Sequence, residues 1–519
     1  MKSIFKTVFN SKTSQLSLVL LAVPILLHFL LLVGFSLNIP WIDDFYWYFE
    51  FLRKIEETKS SMDAFQVIIT PYNNHWHILQ RLLFVSIVNL LGSINMAYVV
   101  LVGNILFLTL FYFLFVRKVK SHFQITNGVV AAAWLFFQPV SHYNFFECAF
   151  FNLPVLLLSF LAIRGFSDKR NIGFFWGVLA TFSNGNGLLI WLVGLLIAIW
   201  HRDLRRVLQS GLTFIGFALL YVFLSKGSQG PGKFSAEPIG DMAIYFVQMC
   251  GSLVNGLDLF NPWLQTICGL GLIIGILAMT RRALLTNEKL YFFMIFILMS
   301  MGIIALTRKE VNGFSAQIVN HYLMFPQLLL GCLVYFFIDN LNLRKSVKTF
   351  LLVSSIALSS LNYLVKLPDL NGHYALKIAN LLNYEGQKKW RLYPLIQGNE
   401  EYRMVNRVTN IAVNNRYYIP PAFNKSFLSE PCSFKTTADG SIVLTAELKQ
   451  RMLSRTIFIE LTDRSNSKTY MPVDRYTSNL KDWFRVKKNR RIDETFFVNL
   501  LNEPLKSEDI TGCRILTVN

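Results

Sequence analysis

Residues 15–37 read QLSLVLLAVPILLHFLLLVGFSL, and residues 38–47 continue NIPWIDDFYW. The first stretch carries no Asp, Glu, Lys or Arg. A helix of about 20 apolar residues crosses the hydrocarbon core of a bilayer, so this stretch is expected to span a membrane. Lys2, Lys6 and Lys12 precede it and no small-x-small cleavage site follows, which reads as an uncleaved signal anchor whose leading end stays in the cytoplasm. The second stretch then emerges on the outer side, with Asp43 and Asp44 side by side among aromatic residues.

Working outward, further apolar runs fall near 95–116, 125–140, 152–166, 171–183, 187–200, 207–225, 262–280, 290–306, 321–338 and 348–366. Basic clusters follow alternate runs: Arg117/Lys118/Lys120, Arg164/Lys169/Arg170, Arg202/Arg205/Arg206, Arg281/Arg282/Lys289 and Arg344/Lys345/Lys348. Basic residues mark the cytoplasmic side. The alternation holds if two apolar stretches, 81–92 and 241–260, stay out of the membrane; the second reads as an interfacial helix because Asp241, Asn255, Gly256 and Asp258 interrupt it. The expected fold is a polytopic α-helical membrane protein of about eleven spans over residues 1–366, with a first outer loop at 38–94. Residues 367–519 follow as an extracytoplasmic domain. Its alternating stretches Ser441–Leu448, Thr456–Leu461 and Cys513–Val518 read as strands, after a helical patch at Ala375–Leu382.

Composition agrees with that division. Of 519 residues, 53% are hydrophobic and 16% charged, against about 25% charged in an ordinary soluble domain. The deficit lies before residue 367, which excludes a soluble enzyme, a fibrous protein and a disordered chain. The net charge of +19 sits largely in the short basic loops. With no Walker, zinc-finger or RNP pattern beside it, nucleic acid is not an expected partner. Cys148, Cys250, Cys268 and Cys332 lie in or beside apolar runs and read as small buried hydrophobes. Cys432 and Cys513, the two in the polar tail, could pair in an oxidising compartment.

The residues able to carry chemistry gather on the outer side. Interfacial burial and mutual repulsion disfavour ionising both Asp43 and Asp44, so one could act as a general base, while the other caps a helix start. Trp41, Phe45, Tyr48, Leu52 and Ile55 follow at helical spacing, with Glu50, Arg53, Lys54 and Glu57 opposite. That pattern predicts an amphipathic helix lying in the interface. Farther along the loop stand His75, His77 and Arg81; imidazole and guanidinium together suit a phosphate ester. A third group, Arg308 and Lys309 with His321 and Tyr322, places cations where topology disfavours them, and anion binding is the simplest reason. Ser141–Glu147, with Glu147 its one acid, could line a cavity. Ser183-Asn-Gly-Asn-Gly187 reads as tight turns needing positive φ. No metal-ligand constellation appears and none is required, although the acidic pair could hold a hard divalent ion.

This layout resembles the GT-C superfamily of membrane glycosyltransferases, chiefly through Trp41-Ile42-Asp43-Asp44-Phe45 following the first span. A bacterial branch of that superfamily places an Asn-Glu-His-Arg-like segment after the acidic pair, where this chain reads Asn73-Asn74-His75-Trp76. Late in the spans that branch carries an Arg, a Gly and an Arg-Tyr pair, and here stand Arg308, Gly313 and His321-Tyr322. The resemblance implies an inverting transfer in the bacterial cytoplasmic membrane, from a polyprenyl-phosphate sugar to an extracytoplasmic glycan or glycolipid. Asp43 or Asp44 would take the acceptor's proton, and Arg308, with His75, Arg81 or His321, would stabilise the leaving phosphate. Two other classes compete. A flippase of lipid-linked sugars would place ionisable residues within the spans, where the sequence shows essentially none. A non-catalytic scaffold would tolerate changes in the acidic loop.

Overall fold

The computed structural model describes residues 12–41, 44–71, 75–116, 125–147, 149–225, 239–257, 261–312, 322–390, 399–421, 427–431, 433–436, 442–447, 457–464, 466, 468–472, 493–498 and 510–518. The apolar runs fold as helices. Six helical stretches are long and apolar enough to cross a membrane: Gln15–Phe35, Met96–Val116, Ala149–Ser167, Leu204–Phe223, Pro262–Leu306 and Lys345–Gln387. The chain is therefore a helical membrane protein. The other apolar runs form shorter helices, among them Asn127–Phe136, Ile172–Ser183, Ile190–Trp200 and Met324–Asn340. Pro262–Asn312 is two helices joined at Asn287, whose φ of −153° and ψ of 59° break the helical geometry. Its side-chain oxygen accepts from the Leu290 amide at 3.4 Å, so the same residue starts the second helix. The two stretches expected to stay out of the membrane also contain helices, Ile78–Leu91 and Ile239–Gly251.

The chain divides into two compact units. The first comprises Met1–Ser36, Lys59–Ser86 and Tyr98–Lys366. Lipid tails are as apolar as Leu, so inside such a unit helices are held by close van der Waals contact rather than by a hydrophobic drive. Rings of Phe107, Phe111, Phe115, Phe136, Phe137 and Phe145 pack on one another in its interior, with centroids 5.1–5.8 Å apart. The Ile239–Gly251 helix lies tight against the one beginning at Pro262. A Cβ on Gly251 would sit 1.8 Å from the Gln265 carbonyl oxygen, and one on Gly269 would sit 1.9 Å from that of Val247. This helix buries Tyr245, Met249 and Cys250 in protein and exposes Ile244.

Buried polar side chains cross-link the same unit. Gln327 Nε2 donates to the carbonyls of Phe136 (2.8 Å) and Gln138 (3.1 Å), and Asn362 Nδ2 donates to Gln138 Oε1 at 2.7 Å. The spans are not free of ionisable groups. His28 is buried in the first of them, its Nε2 2.8 Å from Asn104 Oδ1. Asn104 in turn donates to the Phe145 carbonyl, so this histidine belongs to a bridge between helices.

The second unit comprises Leu37–Thr58, Ile87–Ala97 and Leu367–Asn519. It holds the C-terminal end of the Lys345–Gln387 helix, the Asn399–Asn414 helix and two antiparallel sheets. The strands are β1 (Phe427–Pro431), β2 (Ser433–Thr436), β3 (Ile442–Glu447), β4 (Ile457–Asp463), β5 (Lys468–Pro472), β6 (Asp493–Val498) and β7 (Ile510–Val518). One sheet runs β1-β7-β4-β5 and the other β2-β3-β6. Ile459 and Leu461 of β4 are fully buried, as expected of alternate residues on a covered face. The edge strand β5 is closed by a side chain: Asn383 Nδ2 donates to the Tyr470 carbonyl, and the Tyr470 amide donates to Asn383 Oδ1, both at 2.8 Å. Such cover blunts an otherwise open edge. Cys513 on β7 is disulfide-bonded, and Cys432 lies outside the described residues.

Candidate functional site

The acidic loop folds within the second unit. The stripe Phe45, Tyr48 and Leu52 is buried and Ile55 half-buried, as the spacing predicts, over a π-helical turn Phe45–Glu50 and an α-helical turn Phe51–Glu56. Two of the buried rings here meet aromatic residues from far along the chain. Phe45 meets Trp390 with ring centroids 5.9 Å apart, and Phe49 meets Tyr418 at 5.2 Å. On the opposite side Arg53 forks onto both oxygens of Glu50 at 2.7 Å. Glu56 accepts from Asn415 Nδ2 at 2.8 and 2.7 Å and from the Tyr417 hydroxyl. Burial, followed by that bond to Glu56, pushes the Tyr417 hydroxyl up to about 12.

Asn38 gathers the approach to the turn. Its side chain accepts from the Met96 amide at 2.9 Å and donates to the Ile419 carbonyl at 3.0 Å. Its carbonyl accepts from the Tyr418 hydroxyl at 2.7 Å. The other end of the loop is tied to the same place, because the Ile94 amide donates to the Tyr417 carbonyl at 2.7 Å. Gly92, at φ 74°, reverses the chain just before it, after the Ile78–Leu91 helix.

Asp44 is 6% exposed. Its Oδ2 accepts from the Trp41 amide at 2.8 Å, and its own amide donates to the Trp41 carbonyl at 2.6 Å. The carboxylate thus closes the turn that leads into the helix. This is the structural role open to one of the two acids, achieved by reaching backward rather than by capping the amides ahead. Asp43 lies outside the described residues. Burial first, then neighbouring Tyr384 and the Asp44 charge, hold the Tyr418 hydroxyl well above its usual range.

One group beside this turn has no counterpart among the residues singled out from sequence. Trp41 packs edge-on against His373, centroids 4.4 Å apart, while Trp390, which meets Phe45, stacks on Tyr384 at 4.9 Å. Trp41 thus meets the helix face at His373, and Phe45 reaches the same helix through Trp390 on Tyr384. Lys377 and Asn380 occupy that stripe between them, at spacings of four, three and four residues. They are 2% and 1% exposed. Neither polar atom of the Asn380 amide makes a hydrogen bond with protein.

In the first unit, three polar stretches read separately from the sequence come together. Gln80 Nε2 donates to the Ser183 carbonyl at 2.6 Å, and His77 Nδ1 contacts the same oxygen at 3.2 Å. A chain of amides continues from Asn184 to Asn152 (3.5 Å), from Asn152 to Asn144 (2.6 Å) and from Asn144 to Ser141 (2.8 Å). Because a carbonyl can only accept, the His77 proton sits on Nδ1, leaving the lone pair on Nε2. Burial, then the charges of His75 and Arg81, hold the His77 imidazole well below its usual range, so it is neutral at pH 7. The His75 ring lies 5.9 Å away and is half-buried. Glu147 is buried at the end of the His142–Phe146 helix.

Arg81 sits on one face with His77 as expected, but its Nη1 donates to the carbonyls of Val67 and Ile68 at 3.1 Å and to that of Thr70. These are terminal carbonyls of the Ser61–Ile69 helix, which lack partners within it. Arg81 closes that helix end. The segment 183–187 also differs from its reading: Gly185–Leu189 is a 3₁₀ turn, and neither Gly185 nor Gly187 has positive φ. Gly187 is required by proximity, since a Cβ there would lie 1.9 Å from the Ala180 oxygen. Arg308 and Lys309 fall in the last turns of the Pro262–Asn312 helix, with side chains outside the described residues, as is all of His321; Tyr322 is half-buried. Among the described residues no cluster of His, Cys, Asp or Glu is arranged to hold a metal. No protein-family model, curated protein or solved structure matches the chain.

Proposed function

We propose that the chain is an integral-membrane glycosyltransferase that takes a sugar from a polyprenyl phosphate and passes it to a glycan or glycolipid outside the cytoplasmic membrane. The observation that carries the reading is the acidic turn directly after the first apolar helix. Asp44 spends its carboxylate on the Trp41 amide, and so the proton-accepting role falls to Asp43. Attack of the acceptor oxygen on the anomeric carbon inverts that centre, the proton passes to Asp43, and the polyprenyl phosphate leaves. Arg308, with His75 and His321, is the proposed cationic set for the leaving phosphate, a charge that preorganised donors stabilise strongly. Arg81 belongs to the same proposed set, with its Nη1 also holding the carbonyls of Val67, Ile68 and Thr70. Buried Lys377, on the stripe beside the turn, is the proposed counter-charge of the acidic pair. A disulfide at Cys513 suits an oxidising compartment and supports an extracytoplasmic second unit. A full complement of about eleven spans belongs to the same proposal.

The test is sugar transfer from a polyprenyl-phosphate donor by purified protein in liposomes. Asp43→Asn is expected to lower the rate by about 10²-fold or more while the variant remains folded. Full transfer by both Asp43→Asn and Asp44→Asn would overturn the assignment.

A further inference from the structure

In the membrane-spanning unit, two short basic loops meet. The chain leaves the Ala149–Ser167 helix through Asp168-Lys169-Arg170-Asn171, and the Ile190–Trp200 helix through His201-Arg202-Asp203. Lys169 and Arg202 both adopt positive φ, 55° and 54°, which turns each loop sharply. Arg206 joins the loops, its Nη2 donating to the Lys169 carbonyl at 2.5 Å and its Nε 3.4 Å from Asp203. A groove of about 730 Å³ opens there, lined by Lys169, Asn171, Arg205, Arg206, Gln209 and Leu212 among others.

The charges in this groove are unequal. Asp203, its acid, is engaged by Arg206, and nearby Asp168 is 2.5 Å from Lys289 and 3.8 Å from Arg164. Lys169 and Arg205 are exposed and enter no ion pair among the described residues. Arg206 Nη1 is buried without a hydrogen bond to protein. The groove therefore presents an excess of cations to whatever enters it. Its other end is apolar. From Leu212 the Leu204–Ser225 helix continues with Ile215 and Leu219, which with Leu208 and Leu212 form one stripe, each more than half exposed. Only 6% of the apolar window of that helix is buried, so the stripe faces lipid.

We propose that this groove binds an anionic phospholipid, with its phosphate on Lys169, Arg205 and Arg206 and its acyl chains along Leu212, Ile215 and Leu219. A soluble phosphate would leave the apolar stripe unused, and a zwitterionic lipid would leave the excess positive charge unmatched. Basic pockets between membrane helices on the cytoplasmic side recognise such headgroups, and these loops are among those whose Lys and Arg mark that side in the sequence. The inference stands apart from glycosyl transfer.

The experiment is a titration of the purified full chain by native mass spectrometry, with phosphatidylglycerol and phosphatidylcholine of identical acyl chains as probes. Phosphatidylglycerol is expected to bind at least about tenfold more tightly. Lys169→Gln with Arg205→Gln, both exposed positions, is expected to weaken it about thirtyfold, at roughly one kcal/mol per charge. The control Arg281→Gln with Lys345→Gln removes equal charge from other basic loops and is expected to leave binding unchanged. Equal binding of the two lipids, unchanged affinity in the groove variant, or an equal loss in the control would each overturn the proposal. So would displacement of the lipid by millimolar inorganic phosphate, which would identify a free-anion site.

Discussion

Asp44 offers a direct separation of a structural carboxylate from a chemical one. Replacing it with alanine removes the acceptor of the Trp41 amide, a bond of 2.8 Å beside a buried tryptophan. A hydrogen bond to a charged group contributes about 1.5–3 kcal/mol, and a buried donor left unmatched costs about 1–3 kcal/mol. These overlap, so a loss of about 3 kcal/mol is expected for Asp44→Ala. Asparagine keeps an oxygen where the turn needs one and loses only the charge, so Asp44→Asn is expected to cost about 1 kcal/mol or less. For a unit of this size each kcal/mol shifts the midpoint by about 2–4 °C, giving a fall of about 6–12 °C for alanine and a few degrees for asparagine.

The assay is a thermal scan of purified protein followed by tryptophan fluorescence, to which Trp41 and Trp390 report from the unit that would loosen. Limited proteolysis between residues 37 and 58 gives a second readout. An alanine variant within 1 °C of the parent would show that the carboxylate does not hold the turn. An asparagine variant as unstable as alanine would show that its charge matters more than its acceptor oxygen, and would return Asp44 to the candidate bases. Since Asp43→Asn is expected to leave stability intact while lowering transfer by about 10²-fold or more, the two aspartates are distinguished by opposite patterns.

Three further outcomes follow from the packing. His77 is buried neutral, with its folded-state pKa well below 6.5; stability is therefore retained above pH 6.5 and falls as pH drops below it. Its share is at most about 1.4 kcal/mol per pH unit, and His77→Gln should flatten that slope in denaturation measured from pH 7.5 to 5. Gly251→Ala would drive a methyl onto the Gln265 carbonyl, 1.8 Å away; a loss exceeding about 3 kcal/mol, visible as aggregation on size exclusion, is expected, and a monodisperse variant would contradict the helix contact. Asn380→Leu replaces a buried amide that makes no protein hydrogen bond. Its midpoint should hold or rise, and a drop above about 5 °C would reveal a hidden polar partner.

What could be read ahead of the structure was local. Phe45, Tyr48, Leu52 and Ile55 share a face because a helix repeats every 3.6 residues, and that needs no knowledge of the rest of the chain. Trp390, which meets Phe45, lies 345 residues farther along the chain, and an apolar stripe looks the same whether lipid or protein meets it. Three strands of the second unit were legible because they alternate; β1, β2, β5 and β6 are shorter or more polar, and pairing rather than pattern makes them strands. Gly187 was misread because glycine serves both positive φ and close approach, and only the neighbouring Ala180 carbonyl distinguishes the two. Arg81 shows a parallel ambiguity: its donors satisfy helix-end carbonyls as readily as a phosphate. Lys377 shows the limit most clearly. Its stripe with His373, Asn380 and Tyr384 is visible in the spacing, yet a lysine past the end of a span reads as a solvated charge. Its significance comes from Trp41 lying across His373, which carries the acidic turn to that stripe and makes burial of a cation there physically reasonable.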